Sequence, residues 1–296
     1  SLLTDLSSEM IYPLLPVFLA ASLAAGPAAL GVIEGVAEAT ASLLKLFSGA
    51  WSDRAGRKKP LVLLGYGLSS LARPLVGLAG SWWHVLAVRF SDRIGKGIRT
   101  SPRDALIAAH VPPPLRGKAF GLQRSMDHLG AVLGPAAAFL LLGAGMPLRT
   151  VFLLSVVPGL FAVAVLALRV VDAPAEPAPP HVGGVLRGDV LPPEFRKYLL
   201  LVGLFTLGNA SDAFLILRAV DEGVPVRYVP LLWGAFHVIK SSLSTPAGAL
   251  SDRIPRKWVV SGGWGIYAVC YAAFAAARGP VATVAVFLLY GLYSAA

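Results

Sequence analysis

Charged side chains set inside apolar runs carry the chemistry of this sequence. Between residues 82 and 108, a stretch otherwise able to cross a bilayer, stand Arg89, Asp92, Arg93, Lys96, Arg99 and Arg103. At about 100° per helical residue they fall within an arc of roughly 120°, one face of one helix. A charge at mid-bilayer costs about 2.5–3.5 kcal/mol on the lenient insertion scale, so turning Asp92, Arg93, Lys96 and Arg99 to lipid would cost on the order of 10 kcal/mol. That is comparable with the whole stability margin of a typical protein. The face must therefore look onto a cavity or onto partner charges. Residues 28–50 supply Glu34, Glu38 and Lys45, within about 40° of one another on the same wheel. Residues 118–143 add Arg124, Asp127 and His128. Across these three segments bases outnumber acids by about three, which favours solute-facing bases over a closed salt-bridge network that only orients helices.

Two further acids sit in related places. Ser8-Glu9 lies in the first apolar run and Ser211-Asp212 in the seventh. A carboxylate facing a partly dry cavity can take up and release a proton, so Glu9 and Asp212 are candidates for proton coupling. The alternative is a structural hydrogen bond, for Asp212 to Asn209 or to a serine. In the eighth run, His237 and Lys240 share a face with Ser241 and Ser244. The offset that carries the tag at Gly49 onto its second copy at Gly248 also carries Glu38 onto His237, suggesting another cavity-facing position. A lone histidine is more often a hydrogen-bonding spacer. The other histidines are scattered over different segments, and no metal-ligand cluster emerges.

The elements that position these groups are membrane-length helices. Hydrophobic residues make up 56% of the 296 residues, charged residues 14%, and the mean hydropathy is +0.69. Ten runs, near 1–24, 28–50, 60–80, 82–108, 118–143, 149–169, 198–220, 226–249, 258–277 and 281–296, approach the roughly 20 residues needed to span about 30 Å of hydrocarbon. Pro13, Pro16, Pro74, Pro135 and Pro158 fall inside runs and can bend them. Gly130 and Gly134 form a small-xxx-small pair suited to close helix contact. Basic residues collect in alternate connections (Arg54, Arg57, Lys58 and Lys59; Arg116 and Lys118; Arg196 and Lys197; Arg253, Arg256 and Lys257). The positive-inside rule makes these connections and the N-terminus cytoplasmic. A proline-rich linker over 171–197 divides residues 1–170, six runs, from residues 198–296, about four. The chain starts without methionine and stops inside an apolar run, so we expect it to continue at both ends.

Several function classes drop out. The net charge of +10 sits in short turns with no basic domain to hold nucleic acid. Cys270, the single cysteine, reads as a small hydrophobe. The glycines of GKGIRTS do not form a phosphate-binding loop. No serine–histidine pair or carboxylate–metal arrangement points to an intramembrane hydrolase, and the chain reads as a non-enzyme without cofactor or metal.

The polar turns carry a repeat: GAWSDRAGRKK at 49–59 and GALSDRIPRK at 248–257. A repeat at half-protein spacing in an apolar chain marks two similar halves. These residues resemble the major facilitator superfamily, whose loop between helices two and three reads G-x-L-x-D-R-x-G-R-K. Gly49, Asp53, Arg54, Gly56, Arg57 and Lys58 match it, with Trp51 in place of leucine. The second copy keeps Gly248, Leu250, Asp252, Arg253, Arg256 and Lys257, with Pro255 at the second glycine. RIGKG at 93–97 is similar to the family's R-x-x-Q-G, with Lys96 where glutamine is usual. Gly134-Pro135 resembles the antiporter signature, although Ala138-Phe139 follow in place of its glycines.

The resemblance implies an all-α membrane fold of two six-helix bundles related by a pseudo-two-fold axis, with about ten of twelve helices present. It implies a proton-coupled secondary transporter working by alternating access, a monomer in a bacterial plasma membrane. Asp53, Arg54 and Arg57, and their counterparts Asp252 and Arg253, would gate the cytoplasmic side, the alternative being simple topology anchors. A small solute would bind among Glu9, Glu34, Glu38, Asp92, Arg93, Lys96, Arg99, Arg124, Asp127, Asp212, His237 and Lys240. The basic stripe suits an organic anion or zwitterion, while Glu9 and Asp212 suit efflux of cationic drugs. A membrane scaffold or sensor that kept the fold without transporting is the other class.

Overall fold

Proline and capping residues decide where the apolar runs break. The computed structural model describes residues 1–55, 57–172, 192–251 and 256–295, without side chains at 46, 50–55, 244–251, 256, 257 and 295. The first run is two helices, α1 (Leu2–Glu9) and α2 (Leu15–Leu23), joined through a 3-10 turn at Tyr12–Leu14. Pro13 and Pro16 lack the amide hydrogens a continuous helix needs there. The seventh run breaks likewise, into α9 (Pro193–Gly208) and α10 (Asp212–Asp221), and the Ser211 hydroxyl accepts the Ala213 N–H at 3.3 Å to cap α10. Between these stand α3 (Pro27–Ala55), α4 (Lys59–Ala72) with a 3-10 extension over Arg73–Leu78 at Pro74, α5 (Trp82–His110), α6 (Arg116–Gly143), α7 (Leu148–Leu154) and α8 (Val156–Arg169). α11 (Val229–Ser251), α12 (Arg256–Ala276) and α13 (Gly279–Ala295) complete the chain.

These thirteen helices group into ten rods that coincide with the ten apolar runs, and the described residues contain no strand. Among the described residues, six segments are long and apolar enough to cross a membrane by length and composition: Leu2–Leu23, Lys59–Leu78, Pro113–Gly143, Leu148–Arg169, Pro193–Asp221 and Trp258–Ala276. α5, with its row of charges, is not among them. It is held instead by packing on both α3 and α4.

Small residues set the close approaches. A Cβ on Gly65 of α4 would lie 2.5 Å from the carbonyl oxygen of Gly95 on α5, so only glycine permits that spacing. Gly130 and Gly134 of α6 meet α1 in the same way, a Cβ there falling 2.5 Å from the Leu2 oxygen and 2.6 Å from the Leu6 oxygen. Between membrane helices such backbone contact supplies van der Waals energy that lipid cannot match.

Two apolar cores result, one around Leu14, Phe18, Ile33, Val85 and Phe152, the other around Ile216, Trp233, Phe236, Phe274 and Phe287. Each borrows from across the linker: Ala213 belongs to the first and Val17 to the second. Phe214 also approaches Gly31, and Pro135 approaches Gly234. The N- and C-terminal parts are therefore joined at the end formed by residues 12–31 and 211–236. From that junction a cavity lined by both parts extends toward Asp5, Arg99 and Lys240.

Candidate functional site

The breaks in the first and seventh runs open onto this cavity, about 800 Å³ in volume. Glu9 is the last residue of α1 and Asp212 the first of α10, so each carboxylate stands where its helix is interrupted. Such interruptions free backbone groups and are tolerated in a membrane where they line a cavity. Asp212 also profits from the positive N-terminal end of α10.

Ten of the twelve cavity candidates read from the sequence share this cavity: Glu9, Glu34, Glu38, Asp92, Arg93, Lys96, Arg99, Asp212, His237 and Lys240. Arg124 and Asp127 do not line it. α6 turns its Gly130 and Gly134 face to α1, which leaves Arg124 exposed and Asp127 accepting the Gln123 amide of its own helix at 2.9 Å. The expected positive surplus is corrected with them. The lining holds six acids, Asp5, Glu9, Glu34, Glu38, Asp92 and Asp212, and six bases, Arg73, Arg89, Arg93, Lys96, Arg99 and Lys240. Acids from α1 and α10 enter, while Arg103 and Lys45 stay outside.

The charges divide into committed and uncommitted groups. Arg73 Nε donates to Asp92 Oδ1 at 2.7 Å and its Nη1 to the Thr4 carbonyl at 3.0 Å, tying the α4 extension, α5 and α1 together. Arg73 is a residue that sequence reasoning passed over, although a lone arginine inside an apolar run was the signal. Arg89 pairs with Glu34 at 2.7 Å and reaches Asp92 at 3.9 Å. Arg99 donates to Ser69 at 2.6 Å and lies 4.5 Å from the Tyr66 ring centroid. Arg93 and Lys96 have no hydrogen-bond or ion-pair partner among the described residues.

Contacts across the linker concentrate on Glu9. Trp233 Nε1 donates to Glu9 Oε2 at 2.7 Å, and His237 Nε2 stands 3.9 Å from the same oxygen. Both ring nitrogens of His237 are buried without a hydrogen bond. Tyr12 packs on Trp233, ring centroids 5.1 Å apart, and its hydroxyl lies 3.4 Å from Ser211 Oγ. Asp212 accepts a hydrogen bond from Tyr290 at 2.8 Å, in place of the Asn209 or serine bond anticipated from the sequence. Neither Trp233 nor Tyr290 carries a spacing signal; both are apolar-run aromatics until the helices are assembled.

Of the tag residues, Gly49 faces Ser101 and Arg57 is exposed. The backbone N–H groups of Lys58 and Lys59 both donate to Asp172 Oδ1 at 3.1 Å, so a linker carboxylate caps α4. Gly56, Asp252, Arg253 and the side chains of Asp53 and Arg54 lie outside the described residues, as does most of the linker.

Comparison with known proteins sets this architecture in context. The sequence profile of the Major Facilitator Superfamily matches residues 1–296. An uncharacterized MFS-type transporter of Methanocaldococcus jannaschii is 34% identical over 99% of the chain and 74% of its own length. An uncharacterized protein of Mycobacterium tuberculosis is 30% identical over 81% of the chain, which spans 60% of that relative. The multidrug resistance protein MdtH of Photorhabdus laumondii is 28% identical over 45% of the chain and 33% of its own length. Among solved structures, the inward-facing, occupied form of a bacterial homolog to the human lysosomal transporter Spinster superposes with a TM-score of 0.76. It shares 19% identity, covering 99% of this chain and 70% of that one.

Proposed function

Because the chain belongs to the Major Facilitator Superfamily, we propose that it carries a small solute across a membrane by alternating access, through the cavity between its N- and C-terminal parts. The observation that carries this reading is that both parts line one charged cavity and pack together around residues 12–31 and 211–236. Rocking the parts about that junction would expose the same residues to the other side. On the positive-inside reading, the open end is cytoplasmic and the membrane a bacterial plasma membrane. Residues 1–170 and 198–296 then act as the two moving bundles, in a protein working as a monomer.

Coupling falls to Glu9. It is the cavity carboxylate bonded across the linker, through Trp233 and toward His237. A proton on Glu9 removes the charge that the indole N–H and the imidazole face, and so loosens the contact between the parts. Asp53, Arg54 and Arg57, with Asp252 and Arg253, act as the cytoplasmic gate. Their ion pairs would form in one state and break in the other, and the Asp172 cap on α4 links that gate to the linker. The similarity to MdtH supports export as the direction.

The test is flux in liposomes containing the protein. Solute movement follows an imposed pH gradient in the parent protein. In Glu9→Gln the response to the gradient is lost, while solute exchange at equal pH persists. A Glu9→Gln protein that still responds refutes coupling at Glu9. A protein that binds solute and moves none is a scaffold or sensor, and the transport reading fails.

A further inference from the structure

The cavity bases that are already satisfied and those that are not lie at different heights. Arg89 is spent on Glu34. One and two turns further toward the open end, Arg93 and Lys96 are half-buried and unpaired among the described residues, and Arg93 Nε is buried without a hydrogen bond to any of them. Two cations held this way repel each other and are only partly solvated unless an anion joins them. Four acids come within electrostatic reach, but Asp92 is held by Arg73, Glu34 by Arg89 and Glu9 by Trp233, and Glu38 is exposed. At the closed end the balance is reversed. Asp212 uses Oδ1 on Tyr290 and meets Lys240 only through space; its second oxygen makes no hydrogen bond or ion pair among the described residues and is not among the buried unsatisfied atoms. The Tyr12 ring stands beside it, its hydroxyl 3.4 Å from Ser211 Oγ.

From this we propose that the cavity binds a zwitterionic solute, its anionic group on Arg93 and Lys96 and its cationic group on Asp212 beside the Tyr12 ring. The proposal rests on the transport reading of the same cavity and names its substrate class. Tyr12 links the two heights: its ring is 5.6 Å from Arg89 Cζ, so Asp212 lies near the level of Arg89. At 1.5 Å per residue, Arg93 and Lys96 are then about 6–10 Å away along α5. That separation fits a short ω-amino acid or a compact amino-acid derivative. It suits neither a simple carboxylate nor a simple alkylammonium, each of which would leave one set of charges unanswered in a cavity whose acids and bases balance.

The test uses probes that differ only in their ends: butyrate, butylammonium, γ-aminobutyrate and ε-aminocaproate. Affinity is measured from the rise in thermal stability of the detergent-solubilised protein with probe concentration. One of the ω-amino acids should bind at least about tenfold more tightly than either single-ended probe. Asp212→Asn should reduce its affinity to that of butyrate, and Arg93→Gln with Lys96→Gln to that of butylammonium. Lys96→Arg should restore binding, and the unliganded melting temperature of each variant reports whether it is folded. Butyrate binding as tightly as γ-aminobutyrate with no effect of Asp212→Asn overturns the proposal in favour of an anion site. Butylammonium binding as tightly, indifferent to Arg93 and Lys96, overturns it in favour of a cation site. A folded parent protein that none of the probes stabilises also overturns it. Flux of labelled γ-aminobutyrate separates the two readings. Binding without translocation removes the transport reading and leaves the zwitterion site. Translocation of butyrate alone, indifferent to Asp212→Asn, does the reverse.

Discussion

Removing Arg73 while Asp92 stays charged should be among the most damaging single changes in the N-terminal part. Arg73 and Asp92 expose 6% and 2% of their surfaces, and their 2.7 Å contact lies inside the fold. In Arg73→Met the carboxylate keeps Arg89, at 3.9 Å, as its ion pair among the described residues, with Arg93 and Arg99 within electrostatic reach, and α1 loses the guanidinium bond to the Thr4 carbonyl. Breaking one side of a buried pair costs about 3–5 kcal/mol, because a desolvated charge is left behind. At about 2–4 °C per kcal/mol for a domain of 150–250 residues, the unfolding midpoint should fall on the order of 10 °C. Arg73→Met combined with Asp92→Leu should recover much of the loss, since apolar side chains of similar volume replace such pairs at little cost. The assay is thermal unfolding in detergent, followed by tryptophan fluorescence, for both single variants and the double. The interaction energy across the cycle should reach about 2–3 kcal/mol. If Arg73→Met shifts the midpoint by less than about 2 °C, or if the two losses simply add, the pair is not the lock between α1, the α4 extension and α5 that its geometry describes.

Three other perturbations test neighbouring features. Gly134→Ala places a Cβ 2.6 Å from the Leu6 carbonyl oxygen and 3.0 Å from Glu9 Cβ, and overpacking of this kind should cost about 1–3 kcal/mol. Gly67→Ala, with nothing within 4 Å, should unfold no lower than the parent and serves as its control. Trp233→Phe keeps the aromatic packing but deletes the N–H bound to Glu9. A hydrogen bond to a charged group is worth about 1.5–3 kcal/mol, so the variant should unfold earlier, and the pH gradient should drive its solute flux less steeply. Asp172→Ala removes the acceptor shared by the Lys58 and Lys59 amides; a lost cap of about 1 kcal/mol should appear as faster amide hydrogen exchange confined to the first turn of α4.

The ten rods were legible in the sequence because bilayer thickness imposes their length, and Pro13 and Pro16 mark where the first can bend; the break of the seventh run at Asn209–Ser211 carries no proline and was not legible. The inward stripe of α5 was legible too, since lipid leaves Asp92, Arg93, Lys96 and Arg99 nowhere else to point. The repeated tag pointed to two related parts, because a local polar turn keeps its sequence pattern where it recurs. What tertiary structure alone decided is which charges answer each other. Arg73 meets Asp92, Trp233 meets Glu9 and Tyr290 meets Asp212 only when helices distant in the chain cross. Arg124 and Asp127 carry the same residue types as the cavity groups, and only the orientation of α6, set by Gly130 and Gly134 against α1, keeps them out. Hydrophobic periodicity fixes the face a helix buries relative to itself. The partner that face meets depends on packing between helices, and so does the difference between a satisfied charge and one left open to solute.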